Sequence, residues 1–255
     1  MNKLSSIVIA KNEDANIAKC INSQLECIDE IIILIDSNSE DKTLEIVKSF
    51  PNVKYHITEW MGYAKTKQFG VDMASNDWVF WIDADEVITP ELRNELNNLK
   101  SLQNINFAAY KVARRAFFLG KWIKHSGWYP GHVTRLFNKK KARFNDLSVH
   151  ENLLVEGNIG LLKNDLEHYT DPDIKHYFTK FNNYTTLAAI ELNKKNKSAG
   201  INDLLLRPFF LFLKMYVLRK GFLDGTHGFI LAVFSAAYVF TKYSKLWELN
   251  RKGKR

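Results

Sequence analysis

Two aspartates separated by one residue, Asp83-Ala84-Asp85, directly follow the apolar run Trp78-Val79-Phe80-Trp81-Ile82. At the end of a strand, side chains two apart share a face, so both carboxylates can address one ligand. Hard oxygen donors favour magnesium or manganese, ions that keep waters and take up substrate phosphates rather than sit in an all-protein cage. Such an ion would neutralise a departing diphosphate. An isolated Asp-x-Asp is more often a solvated turn, here one capping the helix after Thr89. The buried-strand sequence in front of it instead aims these acids at a sheet edge. Asn12-Glu13-Asp14 and Asp36 close apolar runs in the same way. In open α/β sheets ligands bind just outside the carboxyl ends of the strands, so three separate segments converge on one crevice.

The elements that must position these acids follow from periodicity. Leu4 to Ala10 is a short β-branched run, and Glu30 to Asp36 is nearly continuous in apolar residues, as strands buried on both faces of a parallel sheet require. Between them Ile17, Ile21, Leu25 and Ile28 recur at helical spacing behind Asp14. The alternation continues with a helix around Thr43 to Phe50, a strand around Val53 to Thr58, a helix around Tyr63 to Ala74 and the strand Trp78 to Asp83. Thr89 followed by Pro90 reads as an N-cap with proline at the first helical position. Repeated alternation argues for an open, mostly parallel α/β sheet with helices on both faces.

From Phe107 to about Tyr169 the texture changes to short aromatic and basic runs broken by glycines, which reads as hairpins and loops completing the sheet. Phe117 to His125, followed by Trp128 and Tyr129, could give a platform for stacking a sugar with cations for acceptor phosphates. Arg135, Lys139, Lys140, Lys141 and Arg143 extend the positive surface. The aromatics are equally consistent with core and the lysine run with a solvated turn. Residues 174–197 form a polar helix candidate, and the chain then becomes rich in Leu, Phe and Tyr.

The longest apolar run there, Phe229 to Phe240, falls short of the roughly 20 residues that span a bilayer. Arg207, Pro208, Lys214, Arg219 and Lys220 interrupt the preceding run. Helices lying in the membrane interface are the expectation, with packing on the sheet domain or dimerisation as the alternative. A net charge of +8, from 36 Lys+Arg against 28 Asp+Glu, draws the protein toward something anionic. Lys242, Lys245, Arg251, Lys252, Lys254 and Arg255 stand against only Glu248 directly after apolar sequence, which favours an anionic membrane surface. Cys20 and Cys27, read as lying on one helix, are about 10 Å apart and beyond disulfide reach, as expected of reduced core thiols in a cytosolic protein. The N-terminus runs straight into a strand and does not read as a signal peptide.

Four segments in order resemble a family 2 glycosyltransferase with the GT-A fold. They are Ser6 to Glu13, Asp36 to Thr43, Lys65 to Gly70, and Trp81-Ile82-Asp83-Ala84-Asp85-Glu86. One departure is Ser37-Asn38-Ser39, where the family often has a glycine before the second serine. The resemblance implies that Asn12, Glu13 and Asp36 bind the nucleotide-sugar, the last two at its uracil and ribose end. Lys67 would approach the base or diphosphate, Asp83 the ribose, and Asp85 would ligate a divalent metal, Mg2+ or Mn2+, with Asp83 and His150 as further candidate ligands. Gly127 to Gly131, Arg135-Leu136-Phe137, Val149-His150-Glu151, Phe222 to Gly225 and Lys242-Tyr243 resemble the bacterial enzymes that attach glucose to the heptose region of the lipopolysaccharide inner core.

That resemblance implies an inverting transfer from a UDP-sugar, expected to be UDP-glucose, to a lipid-anchored glycan at the cytoplasmic face of the inner membrane. Glu151 lies where the family carries its catalytic base, and a carboxylate beside a diphosphate can be tuned for that task. His150 beside it could orient Glu151, contact the diphosphate or ligate the metal. Trp128, Tyr129 and Arg135 are the acceptor candidates. The expected partition is a catalytic domain over 1–170, with its nucleotide-sugar half in 1–100 and its acceptor half in 101–170, and a membrane-associating helical region over 171–255. A sugar-phosphate nucleotidyltransferase is disfavoured because Lys11-Asn12-Glu13 stands where a glycine-rich phosphate loop would follow the first strand. A peripheral membrane or nucleic-acid binding module is disfavoured because acids gathered at strand ends would repel a polyanion, so no nucleic-acid partner is expected.

Overall fold

The computed structural model describes residues 2–145 and 153–252. Strands and helices alternate first: β1 (Leu4–Ala10), α1 (Ile17–Gln24), β2 (Glu30–Asp36), α2 (Thr43–Lys48), β3 (Val53–Thr58), α3 (Tyr63–Met73), β4 (Trp78–Asp83), β5 (Glu86–Ile88) and α4 (Pro90–Ser101). Strands then dominate: β6 (Ala109–Phe118), β7 (Lys121–Trp122), β8 (Gly131–Asn138), β9 (Ala142–Phe144), β10 (Leu153–Val155), β11 (Ile159–Leu161) and β12 (Leu166–Asp171). The helices α5 (Ile174–Lys194), α6 (Ile201–Leu213) and α7 (Gly225–Lys252) follow. Two compact units result, one of residues up to Arg114 together with His132–His168, the other of Arg115–Gly131 with Tyr169–Arg255. The division near residue 169 lies beside the expected boundary, while Arg115–Gly131 groups with the helices.

The first unit is built on a sheet ordered β3-β2-β1-β4-β8-β6-β12-β5. Its β3-β2-β1-β4 part is parallel, and β8 joins β4 antiparallel. The apolar runs dictate this arrangement, because a parallel strand flanked by crossover helices is buried on both faces. Along β2, Ile31, Ile33 and Ile35 pack into one core layer with Ile17 and Ile21 of α1 and Leu92 and Leu96 of α4. Ile32 and Leu34, pointing the other way, join Val71 of α3, Val79 and Trp81. Glu30 anchors the start of β2 by accepting hydrogen bonds from Ser5, Lys54 and Ser75. Burial alone would raise its carboxyl, but these bonds outweigh burial and hold it at about 2.

The four parallel strands have the ends expected from the sequence, and Thr89 accepts a hydrogen bond from the Leu92 amide, with Pro90 opening α4. Two expectations change. Helix α1 ends at Gln24, so Cys27 lies beyond it, although both thiols are free and buried as expected. At the other end, Phe229 to Phe240 is the middle of a 28-residue helix, α7. The helical segment Gly221–Lys252 is long and apolar enough, by length and composition, to cross a membrane, with 22% of its most apolar window buried. The short apolar run understated it because Lys242 and Lys245 end the run without ending the helix. Helix α6 likewise continues through Pro208.

Within the second unit, Phe117 and Phe118 pair with Trp122 and Lys121 in a tight antiparallel turn. Phe118, Ile123, Met215, Leu231 and Ala232 form its buried core. Asp224 holds the segment after β7 by accepting hydrogen bonds from the amides of Lys124 and His125 at 3.3 and 2.9 Å.

Gly70 shows how tightly α3 sits on the sheet. A Cβ there would lie 2.4 Å from Cγ2 of Ile7 and 3.1 Å from Cδ1 of Leu34. Alanine ordinarily improves a helix interior by about 1 kcal/mol. Here Gly70→Ala is expected to destabilise the protein by about 1–3 kcal/mol through overpacking, read as a lower urea midpoint at unchanged slope. A raised midpoint would contradict this packing.

Candidate active site

At the carboxyl edge of the sheet, the loops after β1 and β2 lock together. The Asn12 amide donates to Ser39 Oγ at 2.9 Å, and Asn12 Oδ1 accepts from the Glu40 amide at 2.8 Å. Next along the chain, the Glu13 amide donates to Thr43 Oγ1 at 2.8 Å and the Asp14 amide to Asp41 Oδ2 at 2.9 Å. Asn12 takes a left-handed φ of 54°, which asparagine tolerates better than most residues. None of Ser37, Asn38 and Ser39 has a positive φ, so the missing glycine is not needed. Asp36 is buried, accepts from the Asn38 amide at 2.8 Å and pairs with Lys11 at 3.1 Å. Burial pushes its carboxyl up, but the Asn38 bonds and Lys11 more than offset this, so it lies below its usual range and is ionised.

The second half of the edge is the turn from β4 into β5. In register, β1 pairs with both β2 and β4, opposite Leu34 and Asp83 respectively at Ile9. This places Asp36 and Asp83 two strands apart and two residues out of step, roughly 12 Å, on either side of the Lys11 loop. The Asp83 amide donates to Glu86 Oε2 at 3.0 Å, closing the turn. Arg135, only 6% exposed, reaches from β8 to bond both Asp83 Oδ2 and Glu86 Oε1. Arg114 Nη1 on β6 lies 3.6 Å from the same Glu86 oxygen. For Glu86, fully buried, burial and the neighbouring Asp83 raise the carboxyl despite Arg135. For Asp83 burial also works upward, but Arg135 and Lys67 prevail and hold it below the usual range.

Asp85 faces differently from its partner in the motif. Its Oδ2 lies 3.3 Å from His168 Nε2, which the antiparallel pairing of β12 with β5 brings opposite Glu86. Among the described residues no group of three His, Cys, Asp or Glu side chains is arranged to enclose a metal ion. A carboxylate and an imidazole at an open sheet edge nevertheless suit an ion that takes its remaining ligands from phosphate and water. Lys67 of α3 places Nζ 4.7 Å from the Trp81 ring centroid, next to this turn.

The structure thus brings Asn12, Glu13, Asp36, Lys67, Asp83 and Asp85 to one edge of one unit. Arg135, expected on the acceptor side, lies buried in the ion cluster beneath the turn, where it gives the fully buried Glu86 its countercharge and also meets the partly exposed Asp83. Trp128 and Tyr129 lie in the second unit, edge-on to Phe118 at 6.1 Å and to Trp122 at 5.3 Å. His150 and Glu151 lie outside the described residues. Sequence reasoning missed the roles of Glu86 and His168. Glu86 stood inside the quoted motif, whereas His168 carries no local signal and meets Asp85 only through strand pairing.

The model of the family described as Glycosyl transferase family 2 matches residues 5–170. An uncharacterized glycosyltransferase of Rickettsia typhi is 31% identical over 264 residues, covering 100% of this chain and 90% of that protein. The lipopolysaccharide core biosynthesis glycosyltransferase LpsC of Rhizobium meliloti is 32% identical over 257 residues, covering 96% of this chain and 92% of LpsC. Among solved structures, S. aureus TarS 1-349 in complex with UDP-GlcNAc aligns with a TM-score of 0.47 at 17% identity, over 98% of this chain and 92% of that one, a likeness too loose to bear on the site.

The ion cluster generates a stability test. Arg135→Met leaves Glu86 and Asp83 without their buried partner, a change expected to cost about 3–5 kcal/mol. Adding Glu86→Gln, which removes one stranded charge, should restore part of that loss in urea unfolding. A single variant within 1 kcal/mol of the parent, on the scale of an exposed pair, would show that the cluster does not hold the turn.

Proposed function

Because the chain belongs to glycosyl transferase family 2 and has the GT-A fold expected from its sequence, we propose that it is an inverting hexosyltransferase. Its donor is UDP-glucose and its acceptor the heptose region of a lipopolysaccharide inner core. The observation that carries this reading is the convergence of Asp36, Asp83 and Asp85 on one sheet edge, with Asp83 fixed from below by Arg135. A full-length relative named for lipopolysaccharide core biosynthesis supports the acceptor class. Glucose as the donor sugar rests on the resemblance of the second-half motifs.

Asn12, Glu13 and Asp36 bind the nucleotide. Asp36 is preorganised for this: its carboxylate is ionised and oriented by Asn38 and Lys11 before any ligand arrives. Asp83, hydrogen-bonded by Arg135, orients the ribose, and Lys67 adds positive charge toward the diphosphate. Asp85 and His168 would hold a divalent Mg2+ or Mn2+, which when bound supplies charge neutralisation to the departing diphosphate. Glu151 takes the proton from the acceptor hydroxyl as its oxygen bonds to the anomeric carbon and the bond from that carbon to the diphosphate oxygen breaks. Attack opposite the leaving group inverts the configuration and gives a β-linked product.

The second unit keeps the enzyme at the cytoplasmic face of the inner membrane. Exposed Leu205, Phe209 and Phe210 on α6, and the basic residues at the end of α7, support interfacial association.

The test is UDP release from a panel of UDP-sugars, with manganese or magnesium, with and without a lipopolysaccharide core acceptor stripped of outer sugars. UDP-glucose is expected to turn over only with both metal and acceptor. Asp85→Ala should abolish turnover, and Glu151→Gln should spare donor binding and lower kcat by about 10²–10⁴-fold. Full activity in either variant removes the corresponding role. Turnover of UDP-glucose with a different surface glycan alone would move the acceptor assignment and leave the donor site standing.

A further inference from the structure

The second unit contains a cavity of about 430 Å³ to which the proposed transfer chemistry assigns no step. Leu211, Met215 and Val239 give it apolar walls, and Trp128, Tyr177 and Tyr238 contribute aromatic rings. Lys214 and Arg219 also line it, whereas no acid does. Among the described residues neither cation is ion-paired. Both residues are exposed, so two solvated cations stand at the mouth of an apolar cavity and the site is amphipathic.

The backbone builds this combination deliberately. In an α-helix, residues five apart point about 140° away from each other. Lys214–Leu218 is instead a π-turn, in which the Arg219 amide donates to the Lys214 carbonyl at 2.8 Å. Both cations therefore reach the same cavity, a use to which such turns are often put. Opposite them, Ser126 and Gly127 take successive left-handed φ values of 58° and 80°. A Cβ on Gly127 would come within 2.7 Å of Arg219 Nη1, so glycine lets the guanidinium lie against bare backbone. The Ser126 hydroxyl turns away from the cavity and packs against Gly221, where a Cβ would come within 2.4 Å of it, so it is the Ser126–Gly127 backbone that forms this wall.

The surroundings point to the same class of ligand. Leu218, 77% exposed, directly precedes Arg219 and Lys220, and Phe222 and Leu223 are exposed just after them. Apolar side chains in water beside cations match the boundary between lipid head groups and acyl chains. The volume holds roughly a dozen water-sized groups, enough for a phosphate with part of one hydrocarbon chain.

We propose that this cavity binds a phosphate-bearing amphiphile, with the phosphate at Lys214 and Arg219 and the hydrocarbon along Leu211, Met215 and Val239. The amphiphile is a membrane phospholipid or the phosphorylated lipid end of an acceptor, which share this chemistry. The site extends the membrane reading above, and the residues that line it all belong to the second unit.

The experiment titrates the full chain with dihexanoylphosphatidylglycerol kept below its micelle concentration, read by calorimetry, so that a membrane surface contributes nothing. Saturable binding at one molecule per chain is expected, weakened at least tenfold by Lys214→Gln with Arg219→Gln. Ser235→Phe, which keeps both cations but fills the cavity, should block it equally and decides the matter should the double variant fail to fold. Inorganic phosphate at the same concentration should neither bind nor displace the lipid. Displacement by phosphate alone would assign the site to a free anion, and absent binding, or binding unchanged in the folded variants, would overturn the proposal. Vesicles of phosphatidylglycerol and purified core glycolipid, used as competitors, then separate the two sources. Because the titration reads binding without turnover, failure of the sugar-transfer reading leaves this result independent.

Discussion

A guanidinium buried between two carboxylates sets the geometry of the carboxyl edge of the sheet. Arg135 comes from β8, Asp83 from the end of β4 and Glu86 from the start of β5, and Arg114 of β6 approaches from a further strand. Four strands are therefore tied at the one point where the chain leaves the sheet to present Asp83 and Asp85. Taking such charges out of water is costly unless each finds a partner, so the turn has few alternative conformations. Asp83 is both an ion-pair partner below and part of the exposed edge above. Asp85, released from that cluster, faces His168 instead. One motif of two identical residues thus yields two different side-chain environments.

The rest of the edge depends on the same economy of rigid supports. The parallel strands bury both faces and bring the β1 and β2 loops alongside the turn. The interlocking of Asn12 with Ser39 and Glu40, and of Glu13 with Thr43, removes freedom from loops that would otherwise have to be ordered by substrate. The second unit follows different rules: its aromatic core is small, and many of its large apolar side chains remain in contact with solvent.

Much of the first unit was legible because the physics is local. Five consecutive isoleucine or leucine residues from Ile31 to Ile35 leave no hydrophilic face, so a strand covered on both sides is the one arrangement that suits them. Thr89-Pro90 declared the start of α4 by cap chemistry alone. The acids at the strand ends were legible for the same reason. Arg135 was not, since a cation in a basic, aromatic stretch reads as surface until strand pairing reveals the acids it meets. His168 was invisible for a similar cause, its partner lying far back in the chain. The length of α7 was understated because lysines that end an apolar run do not end a helix. Long-range pairing, not local propensity, decides the first two.

The most direct test of the account is calorimetric titration of UDP into the protein with and without manganese, comparing the parent with Asp85→Ala and His168→Ala. Manganese should tighten UDP binding at least tenfold in the parent, both variants should lose this enhancement, and both should retain the weaker metal-free binding through Asp36. Metal enhancement that survives in both variants would contradict the assigned metal site. Absence of UDP binding under any condition would contradict the donor edge itself.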